Sequence, residues 1–322
     1  MQKRDLTDHP ILKQVHRAIA LNREPGFHFC GNFFALTFDA VHPDHSVLHI
    51  DDEDFTRDQD GQMNIAVFAM LADMGLATGI REKLSRSTRL ATVSLSLQLT
   101  CAPRIGRLVA TSKSNDFLHD TLGKQGLSQS SVYAGDTLIA FGTGAFMVLP
   151  APGDLVLHPI AWIDEKPPVE ITLDLSTLNK DEQWILDHAE KSLNKSLSKG
   201  DGFLNHFLGF HPQSADRSAY CELVNGPHIS NRVGHVQGGI TLGLAMVTAS
   251  AALTDHWKLT GITASYVSPG EGASISARST VVHRGRLTAV VRTEVISSNG
   301  RLVLEVMTTH ASHSTDLTLG VR

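Results

Sequence analysis

Cysteine is scarce: Cys30, Cys101 and Cys221 are the only three in 322 residues, with no CxxC pair and no even set. That argues against a disulfide framework and suits a reducing cytoplasm, the compartment expected here. Basic charge is not in excess. Lysine and arginine number 28 against 33 aspartates and glutamates, a net charge of −5, so no general affinity for nucleic acid or acidic membranes is expected. No long apolar run is free of charge. The longest, Met63 to Ile80, carries Asp73 in its middle and is followed by Arg81, Glu82 and Lys83, so no membrane partner is expected. The opening MQKRDLTDHPILKQVH has no apolar core of signal-peptide length. GxGxxG, Walker-type, HExxH and GxSxG motifs are absent, and no strand shows aromatics interleaved with basic residues. His42, His45 and His49 straddle a Pro-Asp turn without a matching ligand set and read as surface histidines. Neither a metal nor a redox cofactor is expected.

What is present is an apolar fraction of 42% with 19% charge, enough for a full core in a chain about twice the commonest domain size. The chain also repeats itself. FFALTFDAVH and SVLHID read as strands and are followed by RDQDGQMNIAVFAMLADMGLATGI, then by four β-rich stretches ending in TLIAFGTGAFMVLP. FLGFHPQSAD and SAYCELV precede SNRVGHVQGGITLGLAMVTASAAL, and four more β-rich stretches end in RLVLEVMTTHAS. In this frame Asp58 corresponds to Asn231, Gly61 to Gly234 and Pro103 to Pro269. The two central segments are apolar nearly all round, and a helix of that kind must be wrapped by other structure. Several strands follow each one, so the expectation is an α+β unit, repeated, with each helix enclosed by a curved antiparallel sheet. The boundaries expected are an N-terminal helical segment at 1–26, a first unit at 27–165, a linker with a crossover helix at 166–200 and a second unit at 201–322.

A buried helix opened by N-x-x-G-x-x-x-G-G resembles the hotdog fold, and Asn231 to Gly239 resembles the PaaI-like acyl-CoA thioesterases. The resemblance implies two hotdog units packed as an intramolecular pseudo-dimer, and hydrolysis of an acyl-CoA to a free acid and coenzyme A. In that family a His stands two places before the second Gly, with a carboxylate nine residues after it. Here Gln237 takes the His position, and nine residues further on stands Met246. The first unit has the opposite defect. Asn64 stands at the His position, Ile65-Ala66 replace Gly-Gly, and nine residues later comes Asp73.

Nine residues at a rise of about 1.5 Å put Asp73 roughly 13 Å along its helix, too deep to serve that helix's own start. Acid and helix start must therefore come from different units, giving one composite site per chain. Asp73, Gly238, Asn231 and Gln237 are the expected catalytic residues. Gly238 N–H, with Gly239, would polarise a thioester carbonyl, and Asp73 would activate water or attack the carbonyl itself. Apolar neighbours should raise the Asp73 pKa, while donors should pull it back. Gly239 and either Thr92 or Ser94 are expected to bind substrate. Arg81 and Arg89, in a basic run with Lys83 and Arg86, are candidates for the phosphates of coenzyme A, as are Arg284 and Arg286. His235, two places before the position of the family His, reads either as a catalytic base or as a solvent-facing histidine. The remaining readings are a non-catalytic acyl-CoA-binding or regulatory module, and a hotdog hydratase or dehydratase. A homo-oligomer of such chains is a possible assembly.

Overall fold

A computed structural model describes residues 6, 8–84, 88–253 and 256–313. Each half of the chain builds the same succession. The first runs α1 (Pro10–Asn22), α2 (Phe29–Phe33), β1 (Thr37–Val41), β2 (Ser46–Ile50), α3 (Ile65–Arg81) and β3 to β6 (Arg89–Leu99, Leu108–Phe117, Gln125–Ala134, Thr137–Leu149). The second runs α4 (Lys180–Lys199), α5 (Phe203–Leu208), β7 (Gln213–Ala215), β8 (Ser218–Val224), α6 (Gly238–Ala251) and β9 to β12 (Trp257–Tyr266, Ser274–Arg284, Thr288–Ser297, Leu302–Ser312). The helix expected as a crossover, α4, therefore stands in its half where α1 stands in the other. Two stretches read as strand openings, around Phe33 and Phe207, are instead the short helices α2 and α5. Their phenylalanines meet: the Phe33 and Phe207 rings lie 5.1 Å apart, flanked by Phe29–Phe207 at 6.5 Å and Phe33–Phe203 at 6.3 Å.

All twelve strands form one sheet in the order β1-β2-β4-β5-β6-β3-β9-β12-β11-β10-β8-β7. Read from either edge, the order of equivalent strands is the same, which is the mark of a two-fold relation between the halves. The join is the antiparallel pair β3–β9, with Ser96 opposite Thr263 and Leu97 opposite Ile262. The equivalences read from sequence recur as identical turns before the two buried helices. Asp58 N–H bonds the Gln62 carbonyl at 2.8 Å, and Asn231 N–H bonds that of His235 at 2.7 Å. Gly61 and Gly234 both take positive φ, 75° and 81°, which a glycine adopts without penalty. The glycines of the tight turns before β6 and β12, Gly135 and Gly300, do likewise.

Helix α3 is buried from Ala66 to Arg81, and α6 over nearly its whole length, because the sheet curves around both. The helices also press on each other. A Cβ on Gly239 would lie 2.4 Å from Met70 Cα, and one on Gly243 2.7 Å from Ala66 Cα. Glycine here is what lets two backbones touch. Among the described residues no helix is long and apolar enough to cross a membrane. His49, expected at the surface, is buried on β2, with its Nδ1 2.5 Å from Asp39.

Candidate active site

The close approach of α3 and α6 decides what Asp73 meets. Its carboxylate lies in the interior, 5% exposed, beside the first turn of α6 rather than that of its own helix. A Cβ on Gly238 would sit 3.0 Å from Asp73 Oδ2. Gln237, which precedes that turn, uses both ends of its amide. Its Oε1 accepts the Ile240 N–H at 2.9 Å and caps α6, while Nε2 donates to Asp73 Oδ2 at 3.2 Å. The cap fixes which way the amide points, so the donor is presented to the carboxylate without freedom to turn away.

From the other side the Thr92 hydroxyl donates to Asp73 Oδ1 at 2.8 Å. Strict alternation back from the buried Leu97 and Leu95 would turn Val93 inward and send both Thr92 and Ser94 outward. A bulge against β6, between Thr92 and Ser94, resets the parity and aims Thr92 at the carboxylate. Ser94 takes no part in the cavity wall. The backbone N–H of Gly239 lies near enough to lower the pKa of the carboxylate. Burial raises the Asp73 pKa to about 6, and Thr92, Gln237 and Gly239 hold it from going higher.

Asp73 opens into a cavity of about 420 Å³. One face of α3 (Asp73, Met74, Ala77, Arg81) forms a wall, with Thr92 of β3, the start of α6 and Tyr266 of β9 facing it. Phe27 and His28 from the α1–α2 connection, and Leu157 and Ile160 from the connector between the halves, close it over. The Tyr266 hydroxyl donates to the Gly238 carbonyl at 3.0 Å, in the first turn of α6. Burial and the nearby Asp73 charge push the Tyr266 pKa well above its ordinary value, so it stays a donor.

The other expected residues fall into two groups. Arg81 and Arg89 line the cavity, as does Asn231. The Asn231 side chain, however, is engaged in its own turn: Oδ1 accepts the Val233 and His235 N–H groups at 3.0 and 3.1 Å, so it shapes the loop and does not touch Asp73. Gly239 does not line the cavity; its missing side chain makes room for Met70. Arg284 and Arg286 lie at the β10–β11 turn and are not brought to the cavity. Arg86 lies outside the described residues. His235 stands in the cavity wall, with Nε2 3.1 Å from Glu271.

Phe27, His28, Arg232 and Tyr266 reach the site without any signal of spacing in the sequence. Only Arg232, next to Asn231 in the motif, and Tyr266, three places before Pro269, lay close to something already singled out.

The equivalent place in the other half is built differently. Asn64 caps α3 through Ala66 N–H at 2.8 Å, but its Nδ2 is taken by Asp58 of its own turn at 2.7 Å. Met246, where the carboxylate would stand, is fully buried among apolar residues.

Compared by sequence with curated proteins, the chain matches none. The family description "Acyl-CoA thioesterase N-terminal domain" matches residues 227–314, most of the second half. Among solved structures, a protein described as a candidate oleoyl thioesterase from Lactobacillus plantarum is similar at 8% identity and a TM-score of 0.54, over 85% of this chain and 98% of that one. A conserved protein of unknown function with a hot dog fold, from Alicyclobacillus acidocaldarius, is similar at 10% identity and a TM-score of 0.52, over 87% and 96%. At such identities the likeness establishes the architecture: the chain has the hotdog fold across both halves.

Proposed function

We propose that the chain hydrolyses acyl-CoA thioesters at one composite site, formed by Asp73 of the first half and the start of α6 in the second. The observation that carries the reading is the meeting of a buried carboxylate, its pKa raised to about 6, with the N-terminus of a helix from the other half, inside a cavity. The first N–H groups of a helix have no intrahelical acceptor, and the helix dipole adds positive potential there. Gly238 N–H, at the first position of α6, stabilises the oxyanion that develops when a thioester carbonyl is attacked.

Attack comes from a water that Asp73 deprotonates, or from the carboxylate oxygen itself through a mixed anhydride that water then cleaves. Either way the C–S bond breaks and the thiolate of coenzyme A leaves. Gln237 and Thr92 hold the carboxylate in place, and Tyr266 holds the peptide between Gly238 and Gly239. The match over 227–314 supports the thioesterase reading, and the N-x-x-G-x-x-x-G-G opening is the sequence ground for the PaaI-like branch of it. The buried Met246 supports a single site per chain.

Thiol release from short, long and aromatic acyl-CoAs tests the proposal. Asp73→Asn should lower turnover by about two to four orders of magnitude while binding is retained. Turnover unchanged in that variant rejects the role of Asp73. Tight binding with no thiol released from any acyl-CoA would instead make the chain a binding module. Label found in Asp73 after a single turnover in ¹⁸O-water assigns the attack to the carboxylate, with water then opening the anhydride at the Asp73 carbon.

A further inference from the structure

The cavity is cationic as well as acidic. Arg81, Arg89 and Arg232 line it, and among the described residues none of the three is ion-paired to a carboxylate. Arg81, the last residue of α3, is 6% exposed. Among the described residues its Nη1 makes one long bond, 3.3 Å, to the Thr88 carbonyl, and its buried Nε has no acceptor. Arg232 is near enough for its charge to act on Arg81, and burial together with that repulsion lowers the Arg81 pKa to about 10. Arg232 is itself held by the His158 carbonyl of the connector.

His28 adds a neutral donor. Its Nδ1 accepts the Gly31 N–H at 2.9 Å, which assigns the ring proton to Nε2, and burial with the Arg232 charge keeps the ring unprotonated, with a pKa of about 4. A buried arginine beside a second, partly exposed one, with no carboxylate paired to either among the described residues, is an unfavourable arrangement that an anion would relieve. In the other half Gln59 occupies the place of Arg232 and bonds the Gly200 carbonyl, so the cationic pair belongs to the Asp73 cavity alone.

We propose that Arg81 and Arg232, with His28, form a subsite for an anionic group of the substrate, at the far end of α3 from the reacting carbonyl. Arg81 follows Asp73 by eight residues, roughly 12 Å along the helix, so the anion is a different part of the substrate from the thioester. Two parts of a coenzyme A thioester carry that chemistry: a phosphate of the nucleotide half, or a carboxylate closing the acyl chain. The inference rests on the hydrolase reading of the cavity.

The test uses Arg81→Gln and Arg232→Gln, with Arg81→Lys as a charge-retaining control. The substrates are octanoyl-CoA, octanoyl-pantetheine and the ω-carboxyl analogue of each. KM should rise roughly ten- to hundredfold in both Gln variants with kcat nearly unchanged, and Arg81→Lys should recover part of the loss. A rise confined to the CoA esters assigns the nucleotide phosphates; a rise confined to the ω-carboxyl substrates, on either carrier, assigns the acyl carboxylate. An equal rise with octanoyl-pantetheine, which has neither group, or no rise with any substrate, overturns the proposal. Arg232→Gln, at a partly exposed residue, carries the test if Arg81→Gln does not fold. Should the wild type release no thiol from any of the four, the hydrolase reading fails and calorimetry with coenzyme A and with octanedioate decides the subsite. Binding that weakens in the Gln variants then upholds it, and binding that is absent or undiminished overturns it.

Discussion

Replacing Asp73 by Asn should stabilise the fold progressively as pH rises, by an amount the burial of the carboxylate sets. In the folded chain the group titrates at about 6, against the 3.8 of an unperturbed Asp. A pKa raised on folding means that the native state holds the proton more tightly than the unfolded chain does. The contribution to stability is therefore complete below pH 3.8 and is lost as pH climbs through 6. Integrating the proton uptake gives a penalty on the wild type of about 1 kcal/mol at pH 4.5 and about 3 kcal/mol at pH 7.5. Asn does not titrate, and every other ionisable group is common to both proteins. The stability difference should then move by about 2 kcal/mol in favour of Asp73→Asn between those two pH values, whatever constant offset the altered hydrogen bonds introduce. Denaturant melts of the two proteins across this range, compared pairwise, measure it. Parallel stability curves would show that Asp73 is not held in a desolvated site, and the account of its chemistry would fall with that. The same titration should appear in catalysis, with kcat/KM rising through an apparent pKa near 6 and levelling above it.

Thr92→Val removes a donor to the ionised carboxylate, so the pH–rate profile should move to higher pH and the plateau should fall, while Ser94→Ala leaves both unchanged; identical profiles for Thr92→Val and wild type would contradict the assignment of Thr92. Gly239→Ala forces a Cβ to within 2.4 Å of the Met70 backbone and should cost about 1–3 kcal/mol or more in a thermal melt. Gly238→Ala meets side-chain atoms at 3.0 Å or beyond and should lower thiol release with a smaller effect on melting; the reverse order of the two stabilities would refute the packing argument. Met246→Asp should not create a second active centre. Its carboxyl would lie in a fully buried apolar position without the donors that serve Asp73, so it should lower the melting temperature and leave one ligand per chain by calorimetry.

Much of this was legible in the sequence because the repeat is. The turn before each buried helix can be aligned by Asp58 with Asn231 and Gly61 with Gly234, and helix rise alone says that Asp73 cannot serve its own helix start. The rest depended on contacts between distant segments. Periodicity could not choose between Thr92 and Ser94, because one bulged residue inverts the parity of the strand. Gly239 carried a motif signal for ligand access, yet its neighbour is Met70, a residue of the other half that no spacing within α6 can reveal. Phe27 and His28 arrive from a connection whose path is set by α1 packing, and Arg232 was hidden beside the more conspicuous Asn231.

The join between β3 and β9 carries a consequence for how this cavity can change. Where two identical subunits meet, any substitution appears twice, and both cavities must tolerate it. Within a single chain that copies the same interface, the two sides can drift apart residue by residue. An arginine can be gained beside one helix while a glutamine stays beside the other, and an acid can persist at one position while a thioether fills its mirror image. Lopsidedness of this kind opens to one polypeptide a class of cavities that a symmetric pair could never encode.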